Sequence, residues 1–187
     1  YYYTSYPEYE GQVLVRQKRP GTEEWFLSQK ISKPATASKT AQFGSAIAIK
    51  GNTAWIGAAN DGTGGRAYEY RLDSTTRQWA PTGRSLQSGT PAAGNYFGSN
   101  ISFDGKVVAI AAWGAASGAA FQAGAVEIFD ASTLARHVRI TEAAPANYVG
   151  FGRSMALGDG FLAIANPSRT VGSTSYAGAV DIWTRGT

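Results

Sequence analysis

The dipeptide Phe-Gly stands at Phe43-Gly44, Phe97-Gly98 and Phe151-Gly152, two successive intervals of 54 residues in a chain of 187. Each dipeptide opens a similar stretch: FGSAIAIKGNTAWIGAAN, then FGSNISFDGKVVAIAAW, then FGRSMALGDGFLAIANP. The pairs Trp55-Ile56, Ala109-Ile110 and Ala163-Ile164 keep a constant distance from their phenylalanine. Self-similarity at a fixed period of this size marks an architecture in which one supersecondary unit is used several times over.

Turn chemistry gives the unit its internal structure. Lys50-Gly51-Asn52, Asp104-Gly105 and Asp159-Gly160 each sit between two short apolar runs, as hairpin turns that need positive φ. This predicts a first and a second strand. After a loop of variable length comes an alternating third strand, at Arg66 to Tyr70, Gly124 to Ile128 and Gly178 to Ile182. A fourth follows around Trp79 to Leu86 and Arg136 to Thr141, and the segment Trp25 to Ile31 has the same character. Gly11 to Val15 matches the third strand, and Tyr1 to Tyr6 reads as a remnant of a second. Four antiparallel strands per unit make one blade of a β-propeller.

The expected fold class is therefore all-β: a single β-propeller segment over residues 1–187, with units at 1–42, 43–96, 97–150 and 151–187. The first and last units are partial, for roughly three and a half blades against the four to eight of a closed propeller. Both ends carry a third strand, so closure into four blades leaves one redundant. The alternatives are a segment of a longer propeller chain, or a homo-oligomer in which two copies complete a ring of about seven blades.

Composition agrees with many short strands. Glycine is abundant at 23 residues, aromatics reach 12%, and charged residues are only 16%. The net charge of +4 is scattered apart from Arg16, Lys18 and Arg19, with no basic stripe for a phosphate backbone, so nucleic acid is not an expected partner. Cysteine is absent, which excludes disulfides and thiolate metal sites. Apolar runs such as Val107 to Trp113 are too short to span a bilayer, and Tyr1-Tyr2-Tyr3-Thr4 lacks the features of a signal peptide.

The same residues resemble FG-GAP repeats, the blade units of integrin alpha-like propellers. The resemblance rests on the Phe-Gly-Ser starts of the first two units, a degraded Gly-Ala-Pro element at Gly57-Ala58-Ala59, Ala111-Ala112-Trp113 and Ala165-Asn166-Pro167, and the alternating third strand. It implies an extracellular or cell-surface location and a non-enzymatic role in adhesion or ligand binding. Calcium-binding members lengthen the turn between first and second strands into an Asp-rich loop, because a hard cation needs six to eight oxygens. Here those turns are short, so Asp104 and Asp159 read as turn residues, and no metal or cofactor is expected. Asn60 and Asp61, in the longer glycine-rich loop Asn60 to Gly64, offer oxygens for a ligand.

Catalytic patterns find no footing. His137 has no Ser or Cys partner in a nucleophile motif and reads as an exposed strand residue. Glu69, Glu127 and Asp181 read as equivalent positions on the polar face of the third strands rather than a glycosidase pair. The glycines at 62, 64 and 65 lack the Lys and Ser/Thr of a phosphate loop. Asn100 matches the glycosylation sequon but falls in a first strand, where a glycan hardly fits. The binding candidates are aromatic: Trp113, Phe121 and Tyr176 in or beside the loops between second and third strands, and Tyr96 and Tyr148 just before the Phe-Gly starts. Rings on loop tips hold sugars or anchor proteins, so the expected partner is a protein or glycan on the loop face. The rival readings are a structural subunit that assembles into a surface filament or layer through its incomplete end blades, and a carbohydrate-binding propeller lectin with repeated sugar pockets between blades.

Overall fold

The computed structural model describes residues 10–158 and 160–184, and within them the chain is all β, with no helix. The Tyr1 to Tyr6 segment and Asp159 lie outside the described residues. Strands β1 (Gln12–Lys18) and β2 (Trp25–Ser32) form a two-stranded sheet. Strands β3 (Phe43–Lys50), β4 (Thr53–Ala58), β5 (Arg66–Leu72) and β6 (Trp79–Leu86) form a four-stranded sheet in that order. A second four-stranded sheet holds β7 (Phe97–Phe103), β8 (Val107–Ala112), β9 (Ala125–Asp130) and β10 (Arg136–Ile140). The last sheet holds β11 (Met155–Gly158), β12 (Phe161–Asn166) and β13 (Ala179–Thr184). Every pairing within these sheets is antiparallel.

The second strands β4 and β8 are buried on both faces, as their unbroken apolar runs require, because each is covered by a sheet on either side. One core cluster packs Val13, Val15 and Ile31 against Ala54, Ile56, Tyr68 and Tyr70. A second packs Trp55, Ala67 and Leu86 against Val108, Ile110 and Phe129. A third packs Ala109, Ala111 and Val126 against Leu162, Ile164 and Met155. The four sheets are thus stacked in chain order, and the two middle ones have one face toward their predecessor and the other toward their successor.

The Phe-Gly dipeptide is where one sheet is pinned to the next. Phe43, Phe97 and Phe151 are buried, and their backbone N–H groups donate to Glu10, Gly64 and Ala123 at 3.0, 2.7 and 2.9 Å. The residue after each acceptor is a glycine of positive φ: Gly11 (76°), Gly65 (97°) and Gly124 (88°). A Cβ on any of these would overlap the backbone of the facing phenylalanine. The glycine within the dipeptide does a second job. Gly44, Gly98 and Gly152 have φ of 92°, 92° and 91°, and the register of β3 and β7 shifts across the first two, as in a β-bulge. The bulge frees Ser45 Oγ to donate to Gly98 O of the next sheet at 3.0 Å. Around Phe151 the chain is turn, and β11 begins only at Met155, so the expected first strand of that unit is shorter than its counterparts.

Substituting Gly124 by Val forces both a disfavoured φ and a backbone overlap. A loss of about 4 kcal/mol or more is expected in urea unfolding, whereas Gly118→Ala, at φ 58° with open space around it, should cost about 1 kcal/mol.

Candidate functional site

In an antiparallel sheet of this order, the loops β4–β5, β8–β9 and β12–β13 and the connectors into β3, β7 and β11 share one end of the stack, and the short hairpins occupy the other. All seven ligand candidates read from the sequence lie at the loop end, but the structure uses them differently.

Tyr96 stacks on Trp113 at a centroid distance of 4.6 Å and 10° between planes, and the Arg153 guanidinium lies 4.8 Å from the same indole. The π surface of Trp113 is therefore already engaged, and the trio joins the connector into β7, the β8–β9 loop and the connector into β11. Arg153 carries no mark in the sequence as an aromatic partner. It occupies the position held by Ser45 and Ser99 in the other Phe-Gly segments.

Phe121 and Tyr148 form an edge-to-face pair at 5.6 Å, and both are exposed, at 53% and 63%. Their backbones are fixed from both sides. Tyr148 N–H donates to Phe121 O at 2.9 Å, Gly150 N–H donates to Gln122 O, and Phe121 N–H donates to Asn147 Oδ1 at 2.8 Å. Sequence reasoning missed Asn147, whose only signal was its place beside Tyr148. Tyr176 is exposed and has positive φ (55°), matching Gln122 (49°) one loop earlier.

Asn60 and Asp61 are occupied by the scaffold. The Asn60 amide donates to Thr40 O at 3.0 Å, and buried Asp61 accepts Ser38 N–H at 2.7 Å and the Tyr68 hydroxyl. Burial, with that hydrogen bond to Asp61, pushes the Tyr68 phenol well above its ordinary value. Asp104 Oδ1 accepts the N–H groups of Lys106 and Val107, the work of a turn residue. His137 is exposed on β10. Asn100 donates to Arg153 O across the contact between sheets.

One sequence assignment is corrected. Glu69 is in register with Trp55, whereas Glu127 is in register with Ile110 and Asp181 with Ile164. The counterpart of Glu127 and Asp181 is Tyr68, in register with Ile56. Aligning the strands on their acids instead of on the glycines that contact phenylalanine displaces β5 by one residue, which puts Glu69 on the opposite sheet face. From there Glu69 accepts from Arg84 Nη1 at 2.8 Å and from Thr82, while Arg84 also reaches Ala131 O and Ser132 O of the next sheet. Glu127 faces the other way, toward the preceding sheet, and accepts from Ser88 Oγ (2.5 Å), Gly89 N–H (3.1 Å), Arg136 (3.2 Å) and Arg139 (3.0 Å). Asp181 is paired with Arg169, which also binds Glu142, in a cleft of about 880 Å³ beside β13. These acids tie sheet to sheet.

Compared with known proteins, the chain matches no protein-family model, and no curated protein matches it significantly. No helix among the described residues is long and apolar enough to cross a membrane.

Burial alone would raise the Glu127 carboxyl, but the hydrogen bonds from Ser88, Gly89 and Arg136 and the charge of Arg139 outweigh it and hold it below its ordinary 4.5. A lowered folded-state value stabilises the protein above the unfolded value, and that contribution is lost as pH falls through the folded one. Glu127→Gln is expected to cost about 2 kcal/mol at neutral pH and to flatten the acid limb of stability below about pH 4.5. Urea unfolding across a pH series checks both; an unchanged acid limb refutes the role.

Proposed function

We propose that the chain is a stretch of a β-propeller of the FG-GAP, integrin-like kind, extracellular and non-enzymatic, whose loop end binds a protein or glycan ligand. What supports the propeller reading is the stacking of four antiparallel sheets in chain order, the two middle ones four-stranded, pinned each to the next at a Phe-Gly segment. What carries the binding reading is the Phe121–Tyr148 pair, two exposed rings held edge to face on a hydrogen-bonded frame. A rigid exposed aromatic pair offers contact area with little entropy left to lose, which is the usual make-up of a recognition hot spot. Trp113 belongs to the scaffold in this scheme, because its ring is already covered by Tyr96 and Arg153.

A glycan array and a panel of extracellular-matrix proteins, probed with the whole chain, test the reading. The variant Phe121→Ala/Tyr148→Ala is expected to weaken the captured ligand by roughly 10- to 30-fold while its unfolding midpoint stays that of the wild type. Trp113→Ala is expected to lower the midpoint instead. Retention of full binding by the double variant would refute the site.

A further inference from the structure

Arg153 departs from the repeat at a position the scaffold uses elsewhere. The residues that follow the three Phe-Gly dipeptides are Ser45, Ser99 and Arg153. Ser45 Oγ donates to Gly98 O at 3.0 Å and accepts the Ala59 N–H at 3.2 Å, and Ser99 Oγ donates to Ala111 O at 3.3 Å, so both hydroxyls are spent on backbone. The Arg153 guanidinium does no such work. It lies 4.8 Å from the centre of the Trp113 ring, the residue is exposed, and among the described residues no carboxylate or carbonyl accepts from its N–H groups. Exposure at this position belongs to the loop end, since Ser45 is exposed there too with the next sheet stacked against it.

The side chain is nevertheless held in place. Arg153 N–H donates to Gly150 O at 3.2 Å, and Arg153 O accepts from Asn100 Nδ2 at 3.1 Å. A Cβ at residue 150 would come within 2.6 Å of Arg153 Nε, so the glycine there gives the side chain room to fold over its own connector. One unit earlier the same place holds Tyr96, which stacks on the same indole. The guanidinium is thus oriented by an aromatic ring while its N–H groups stay unpaired. A stacked guanidinium keeps its charge and its fork of donors, and that fork matches the two oxygens of a carboxylate.

The same connector offers contacts for the rest of a sugar. Phe121 and Tyr148 expose two rings, and Asn147, also exposed, spends its Oδ1 on the Phe121 N–H and keeps its amide N–H groups for other partners. Rings of this kind take the apolar face of a pyranose, and amide donors take its hydroxyls. Two rings, one amide and one guanidinium make a footprint of a few sugar units, whereas a standard protein interface uses roughly 20 to 30 residues a side. Resting on the loop-end binding reading above, we propose that Arg153, stacked on Trp113, binds the carboxylate of an acidic sugar of the uronic or sialic type, in a glycan whose other units lie against Phe121 and Tyr148.

An array that pairs uronic- and sialic-acid-terminated oligosaccharides with their carboxyl-reduced counterparts, probed with the whole chain, tests this. Carboxylated members are expected to bind, and their reduced counterparts to bind about 10-fold more weakly or worse, because a charge-assisted hydrogen bond is removed. Arg153→Gln is expected to lose the same factor on the carboxylated members and nothing on the reduced ones, while Arg153→Lys, which keeps the charge without the fork, falls between. Both variants are expected to unfold in urea as cooperatively as the wild type, which separates a lost contact from a lost fold. Equal binding of carboxylated and reduced members that disappears in Phe121→Ala/Tyr148→Ala overturns the Arg153 contact and leaves the aromatic site standing. Capture of an acidic matrix protein with no glycan bound also overturns it. Silence from both the array and the matrix panel overturns the two readings together.

Discussion

The structure depends on one backbone contact: a phenylalanine N–H donated to the carbonyl that precedes a positive-φ glycine of the previous sheet. It occurs at Phe43 with Glu10 and Gly11, at Phe97 with Gly64 and Gly65, and at Phe151 with Ala123 and Gly124. Main chain meets main chain there, so no side chain larger than hydrogen is compatible with it. Because the phenylalanine is also buried, the same step that satisfies a polar group removes an aromatic ring from water, and the two gains reinforce each other. The close approach then brings β3 and β4 of one sheet against β7 of the next, and the apolar clusters formed between neighbouring sheets bury β4 and β8 on both sides.

Polar contacts follow from that geometry. Once the faces are within reach, a carboxylate on a third strand sits in a nearly dry layer and needs several donors to remain charged. Glu127 receives them from the preceding connector and from β10, and Glu69 from β6 and its own strand. The arginines do not end at the carboxylate. Arg84 continues to two carbonyls of the next sheet and Arg139 to Ala116 O, so a buried charge becomes a brace between neighbouring elements. Burying ions is costly unless every partner is satisfied, and the specificity it returns here is orientation: each acid commits its sheet to one register against one neighbour.

The strands were legible in the sequence because their turns carry chemical signatures. Gly51, Asp104 and the glycine before each third strand mark boundaries that the structure reproduces within a residue or two. Register was not legible. The acids at 69, 127 and 181 invite an alignment that is wrong by one residue for Glu69, and in a sheet one residue exchanges the two faces. The glycines held the correct answer, but only as positions of close approach, which cannot be seen until the facing phenylalanine is in place. The aromatic candidates were half legible for a related reason. Exposure on a loop tip can be guessed from composition, whereas the covering of Trp113 depends on Arg153, 40 residues further along the chain in the connector into β11.

Backbone strain at Tyr96 and Tyr148 follows the scaffold, whereas the rings they carry do not. Tyr96 has φ of 56°, a conformation that costs a bulky residue about 1 to 2 kcal/mol. Strain of this kind invites a functional explanation, but the residues that precede Phe43 and Phe151, Gln42 and Gly150, have φ of 55° and 66°. The left-handed residue before the phenylalanine is therefore a requirement of the contact between sheets, met by whatever side chain stands there. Tyr148 stands at a second such position. It adopts φ of 60° three residues before Phe151, and Gly94, three residues before Phe97, has φ of 78°, so the left-handed conformation there also recurs along the stack. What the recurrence leaves open is the side chain: where the preceding unit has glycine, which adopts this conformation without strain, this unit carries an exposed ring turned outward against Phe121.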